Sequence, residues 1–422
     1  MTTLTDPPRG SFRLSMLIYD SRYRSITIQI VALIAVLSLF GWLVSNTMQN
    51  LAALGKQPSF GFLKEAAGYD INQRLIDYDN QDTHFRAAFT GLLNTLLIAV
   101  LGCIAATVIG IVVGVLRLSN NWVVSRLMAV YVETFRNVPV LLWIILTMAV
   151  LIELFPEPKA FRGENPEARM ILGDSVALTN RGFYVPEPLF SRSLGDIHLL
   201  GQHPLRFDVS LDLIAFLAIL IAGILTARLI GARADRVQAA TGVRPKTFWP
   251  ELGVIVVPTA IVLGILGFHL GMPEMQGFNF TGGTYLRNSL IALWLALSLY
   301  TAAFIAEIVR AGILAISKGQ TEAAAALGLR PRRVMSLVIL PQALRVIIPP
   351  LISQYLNLTK NSSLAIAVGY MDITGTLMGI TLNQTGRELE TVLLTMIIYL
   401  AVSLTISMLM NAYNNAVKLR ER

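Results

Sequence analysis

Long apolar runs dominate this chain and leave it little choice of fold. A helix crosses a ~30 Å hydrocarbon layer with about 20 residues at ~1.5 Å of rise each. Runs suited to that crossing lie at residues 27–46, 92–116, from about 140 to 155, 211–230, 252–270, 288–308, 346–370 and 391–412. Backbone N–H and C=O groups find no water inside a bilayer, so each run must satisfy them internally as a helix. Composition agrees: 54% of the 422 residues are hydrophobic and only 14% charged, where a soluble chain carries about 25%. The expected fold is therefore an all-α integral membrane protein with about eight transmembrane helices.

Charge sets the expected topology. Lys and Arg gather at both termini and in 117–137, 228–246 and 310–345, all on one side if eight spans are counted. The positive-inside rule makes that side cytoplasmic. The net charge of +8 suits loops facing an anionic leaflet rather than a nucleic-acid surface. The first apolar run is longer than the 7–15 residues of a signal-peptide core, so it reads as an uncleaved anchor. The chain then divides into a cytoplasmic segment (1–26), a first helix (27–47), an acidic outer stretch (48–90), helices within 85–155 and an extracytoplasmic insertion (156–210). A helix pair (211–270), helices within 285–412 and a cytoplasmic tail (413–422) complete it. The insertion holds Pro, Gly, balanced charge and β-favouring stretches such as Phe183-Tyr184-Val185, and its structure stays open. Gly110 and Gly114 form a small-xxx-small pair that lets another helix approach closely.

The polar segment within 311–341 is the longest basic interruption of the second half, and its key run is GQTEAAAALGLRPRRVMSLVILP, Gly319 to Pro341. Thr321 is placed to cap a short helix, with Glu322 in its first turn at the favourable dipole end. Ala323 to Ala326 favour helix, Gly328 suits a left-handed terminus, and Pro331 suits the start of a second helix. So short a helix is marginal alone in water and needs a neighbour or a partner.

Glu322, Ala323, Ala324, Gly328, Leu340 and Pro341, in that register, resemble the EAA loop of bacterial ABC importer permeases; Val338 stands where that pattern usually has Ile. Tyr131, Glu133, Phe135, Arg136 and Pro139 resemble a second signature of the polar amino acid permeases. The same residues also serve as an interfacial helix start, with Arg136 obeying the positive-inside rule. The resemblance covers 85–155 and 285–412 and implies a permease core of five helices; the first span and the 211–270 pair are extra. Elongated members of this kind resemble permeases of broad-specificity importers, including those for Glu, Gln, Asp and Asn.

The resemblance further implies coupling through the 319–341 loop to two separate ABC ATPase subunits. A homologous permease or second copy, a periplasmic amino-acid-binding protein and the lipid bilayer of the bacterial inner membrane complete the expected setting. No cofactor is expected in this chain. It contains no G-x-x-x-x-G-K-[ST] phosphate loop, so ATP is expected on the partner. Its single cysteine, Cys103, cannot build a disulfide framework or thiol metal site, and its four histidines are not paired at ligand spacing. No nucleophile motif suggests an enzyme.

Within the membrane, Glu307 and Arg310 lie three apart and read as a structural pair. Gln354, Asn357 and Asn361 share one helix face, and Ser353, Asn357 and Lys360 an overlapping one. Pro349 and Pro350 can loosen the helix below them. This face is either interhelical glue or the wall of a polar cavity that receives a zwitterion. Lys360 either faces that cavity or snorkels to the interface. The stretch from Leu358 to Leu364 resembles the family's K-[DN]-[ST]-S-L segment, which implies a substrate pathway at Gln354, Asn357, Lys360, Asn361 and Ser362. The competing class is a self-sufficient secondary transporter or channel. It calls for ion-coupling carboxylates at mid-depth, and the eight runs contain none.

Overall fold

In a computed structural model the protein is described over residues 16–53, 55, 58–163, 166–199 and 207–417. The expected terminal charges at Arg9, Arg13, Lys418, Arg420 and Arg422 lie outside the described residues. Two units result, Met1–Phe60 and Gly61–Arg422. The first holds a 33-residue helix, α1 (Ser21–Ala53), whose apolar side chains are exposed on all sides. A helix apolar all round is made for lipid or for a partner helix.

The second unit contains α2 (His84–Leu116), α3 (Trp122–Asn137), α4 (Val140–Leu154), α5 (Leu211–Thr241), α6 (Phe248–Ile265), α7 (Asn288–Leu314), α8 (Lys318–Ala326), α9 (Leu340–Asn361) and α10 (Glu388–Val417). Among the described residues, eight helical segments are long and apolar enough to cross a membrane. Local chemistry sets several boundaries. Thr83 Oγ1 accepts the Arg86 N–H at 3.3 Å and opens α2. Asn121 Oδ1 accepts the N–H groups of Val123 and Val124 and opens α3. Val138 precedes Pro139, is held extended by the proline ring, and so separates α3 from α4.

Helix α7 is the hub. It packs against α2, α3, α4 and α9, and its buried side chains, Leu293, Leu297 and Ile305 among them, form the largest share of the main core. A Cβ added at Gly110 would lie 2.6 Å from Ile305, and one at Gly114 would lie 2.7 Å from the Ala306 carbonyl. The expected small-residue pair is thus the place where α2 and α7 meet. The acidic stretch before α2 folds back onto the start of that helix. Asn94 Nδ2 donates to the Gln73 carbonyl at 2.7 Å and the Met371 carbonyl at 2.8 Å. Tyr69 shares a 3.2 Å hydrogen bond with Thr381, and burial pushes its phenol up to about 12, so it stays neutral.

Helices carry the spans, but among the described residues nine short strands lie between them. Strands β1 (Ala177–Leu178), β2 (Gly182–Val185) and β9 (Thr284–Arg287) form one antiparallel sheet in the order β1-β2-β9. Strand β3 (Glu187–Phe190) pairs with β6 (Phe268–Gly271), and β4 (Asp196–Leu199) pairs with β5 (Phe207–Ser210). Strands β7 (Glu274–Gln276) and β8 (Asn279–Thr281) form a hairpin. The apolar run expected to reach residue 270 therefore ends as a helix at Ile265. Gly267 then turns with φ +67, and residues 268–271 pair with the insertion. Helices α5 and α6 pack on each other through Gly223, whose backbone lies against that of Val254 and Ile255.

Candidate functional site

The polar connection after α7 departs from expectation in one detail. Helix α8 starts four residues earlier, at Lys318 with Ser317 at the N-cap, so Thr321 is an ordinary helical residue and Glu322 lies beyond the first turn. The earlier start gives a nine-residue helix. Its C-terminal side behaves as read from the sequence: Gly328 takes φ +77 and Pro331 opens the next turn. Ala324 is buried, and the helix leans on residues 331–339. Glu322, Ala323 and Gly328 are exposed, Leu340 is exposed and Pro341 half-buried. Leu327 is 82% and Leu337 64% exposed, so bare apolar side chains accompany the acid in this segment.

At the same end of α7, one carboxylate ties three helices together. Glu307 is bonded by Arg117 at the end of α2, lies 3.2 Å from Arg310, and lies 3.9 Å from Arg136 of α3. The expected pair is thus part of a four-residue cluster. Arg136 also covers the Phe304 ring at 5.4 Å.

Helix α9 continues unbroken through Pro349 and Pro350. On its polar face Ser353, Asn357 and Lys360 are exposed, while Gln354 and Asn361 are half-buried. Among the described residues, the side chains of Gln354, Asn357, Lys360 and Asn361 have no hydrogen-bond or ion-pair partner. Ser362 differs. It is buried and donates to the Thr359 carbonyl at 2.8 Å, in a 3₁₀ segment (Ser362–Val368) that replaces the expected continuation of the helix. Lys360 also lines a cavity of about 550 Å³ with Ser363, Thr374, Thr395, Tyr399 and Ser403.

Behind that cavity lies a buried group not singled out in the sequence. Asp372 accepts the Gly375 N–H at 2.8 Å and the Tyr399 hydroxyl at 2.9 Å. The Tyr399 oxygen is also 3.2 Å from Thr374 Oγ1 and 3.3 Å from Ser362 Oγ. Asp372 sits two residues past the expected end of the seventh run, at Tyr370. The fold draws it inside, and only that position hinted at its burial.

A model for the binding-protein-dependent transport system inner membrane component matches residues 247–419. The glutamate/glutamine/aspartate/asparagine transport system permease protein BztB of Rhodobacter capsulatus is 60% identical over 100% of both chains. This chain belongs to the permease subunits of ABC amino acid importers. The general L-amino acid transport system permease protein AapQ of Rhizobium johnstonii is 42% identical over 99% of this permease and 98% of its own length. A solved chain described as an amino acid ABC transporter with histidines is 17% identical over 79% of this permease and 95% of that chain, with a TM-score of 0.43. The permease is therefore a multi-pass inner-membrane transport protein, working beside an ATPase.

Proposed function

We propose that this permease imports polar amino acids of the Glu, Gln, Asp and Asn class, driven by ATP bound and hydrolysed on two partner subunits. The exposed α8 segment carries the reading. It presents an exposed acid and bare leucines after the end of the hub helix, as a surface that a partner groove covers. Movement of α8 would pass through α7, which touches most of the core, to the polar face of α9. In this reading Glu322, Ala323, Ala324, Gly328, Leu340 and Pro341 couple to the ATPase. Gln354, Asn357, Lys360 and Asn361 line the solute path where a second permease, of the same or a homologous chain, faces this one; Ser362 shapes the turn behind them. A periplasmic binding protein delivers the amino acid. Both termini are cytoplasmic, and no cofactor resides in this chain.

The substrate class is supported by the 60% identity to BztB over the whole length. It is also supported by a path lined with amides and one ammonium rather than carboxylates. Purification of the tagged permease from native membranes tests the assembly. ATPase, second permease and amino-acid-stimulated ATP hydrolysis are expected in one complex. A chain recovered alone, with uptake that ignores ATP depletion, would overturn the reading.

A further inference from the structure

At the end of α7 opposite α8, a second cavity of about 410 Å³ lies between the helices and the strands. Its walls include Asn180 and Arg181 from the turn between β1 and β2, and Arg287, Asn288 and Ser289 from the end of β9 and the first turn of α7. Met148 and Val368 close it with apolar surface. Three features of this cavity point to the same kind of ligand.

The first is unopposed positive charge. Among the described residues no carboxylate forms an ion pair with Arg181 or Arg287. Glu157 senses the Arg181 charge but is itself bound to Lys159 at 2.6 Å. The second is the helix end. The 27-residue α7 begins here with no acidic residue in its first turn and no side-chain cap, so its free N–H groups and dipole favour an anion. The third is a pair of orphaned acceptors. Asn288 is 2% exposed and donates its Nδ2 to the Asn180 carbonyl at 2.6 Å, yet its Oδ1 and that of Asn180 have no hydrogen-bond partner. Such groups are costly to leave unmade and call for a donor.

Donors and positive charge for a carboxylate, beside acceptors for an ammonium, are the complement of an α-amino acid zwitterion. We propose that this cavity is an entry site that receives the amino acid before it reaches the α9 face. Arg181, Arg287 and the α7 N-terminus hold its carboxylate, and the Asn180 and Asn288 amide oxygens hold its ammonium. The inference rests on the amino acid importer reading and adds a second station to it. The turn that supplies Arg181 belongs to the insertion, which thereby gains a role in transport.

The complete complex in proteoliposomes, with Cys103→Ser and Val368→Cys, provides the test. An impermeant thiol reagent modifies the cysteine in the cavity wall, and millimolar glutamate is expected to slow that reaction at least threefold. Arg287→Gln and Arg181→Gln should each remove most of the protection, whereas Arg287→Lys should keep part of it. Putrescine, a diamine without a carboxylate, should not protect. Asn357→Leu, on the α9 face, should impair uptake but leave the protection in place. Equal protection by putrescine would overturn the site. So would protection that survives both arginine changes, or protection lost only with Asn357→Leu. If the cysteine is unprotected while the same vesicles take up glutamate, the entry site fails and the importer reading stands.

Discussion

The hydroxyl of Tyr399 donates to Asp372 Oδ2 at 2.9 Å, across 27 residues of sequence and at a point where the carboxylate is fully buried. Tyr399→Phe leaves that carboxylate oxygen short of a donor. Hydrogen bonds to charged groups are worth about 1.5–3 kcal/mol, and a loss of that size is expected in the melting of the purified complex. Asp372→Asn added to Tyr399→Phe should recover part of it, because the charge that needs the donor is gone. An additive double variant would show that the two groups are not coupled.

Among the described residues, Glu307 is the one carboxylate that forms ion pairs with Arg117, Arg136 and Arg310. Glu307→Gln turns an attractive cluster into three cations facing one another. Because the Glu307 side chain keeps 30% exposure, the cost is expected to be about 1–3 kcal/mol, below that of a fully buried pair. Melting at low and high salt checks the cause. The deficit should shrink as salt screens the repulsion.

Coupling is tested at α8. Gly328→Val forces a β-branched residue to φ +77, and Glu322→Lys reverses the charge offered to the partner. Because Glu322 lies beyond the first turn, little of its effect is expected to come from the helix dipole. Both variants should insert into the membrane at parental levels and lose ATP-driven uptake. Normal uptake by both would remove α8 from the coupling path.

Topology follows from single cysteines introduced after replacing Cys103. Sites at Asp79 and Glu187 should react with an impermeant thiol reagent applied to the periplasmic face. Sites at Arg236 and Lys318 should react only after the membrane is opened. Reaction at 236 from outside would place the C-terminal end of α5 on the wrong side of the proposed topology.

On the α9 face, Gln354→Leu and Asn361→Leu should slow uptake severalfold without loss of the assembled complex. Asn361→Asp should shift preference towards cationic amino acids, since a carboxylate there favours an added positive charge. Competition assays with glutamate, glutamine and arginine read the shift. Unchanged rates and ranking in all three variants would make the face a packing surface.

The spans were legible because hydrophobic length is a one-dimensional property, and the turn at Gly328 because few other residues take its backbone angles. The start of α8 was misplaced because Thr321 is a good cap by type, whereas the chain continues the helix back to Lys318. The strand at residues 268–271 was hidden because Phe268-His269-Leu270-Gly271 extends an apolar run, and only pairing with Glu187–Phe190 separates it from the helix. Asp372 and the Asn180–Asn288 contact were invisible for a related reason. Each depends on residues far apart in sequence that the helices bring together.

The pairing of Glu187 with Gly271 puts the two ends of an 83-residue excursion side by side on one ladder. Everything between them, α5 and α6 included, leaves and re-enters at neighbouring points. Such a loop is modular in the sense that a short hairpin across the same ladder would close the remaining chain without moving β2, β9 or the start of α7. Two crossings are gained or lost together, so the sidedness of all later segments is conserved. Length variation of this kind is therefore topologically neutral, and the translocation machinery is insulated from it.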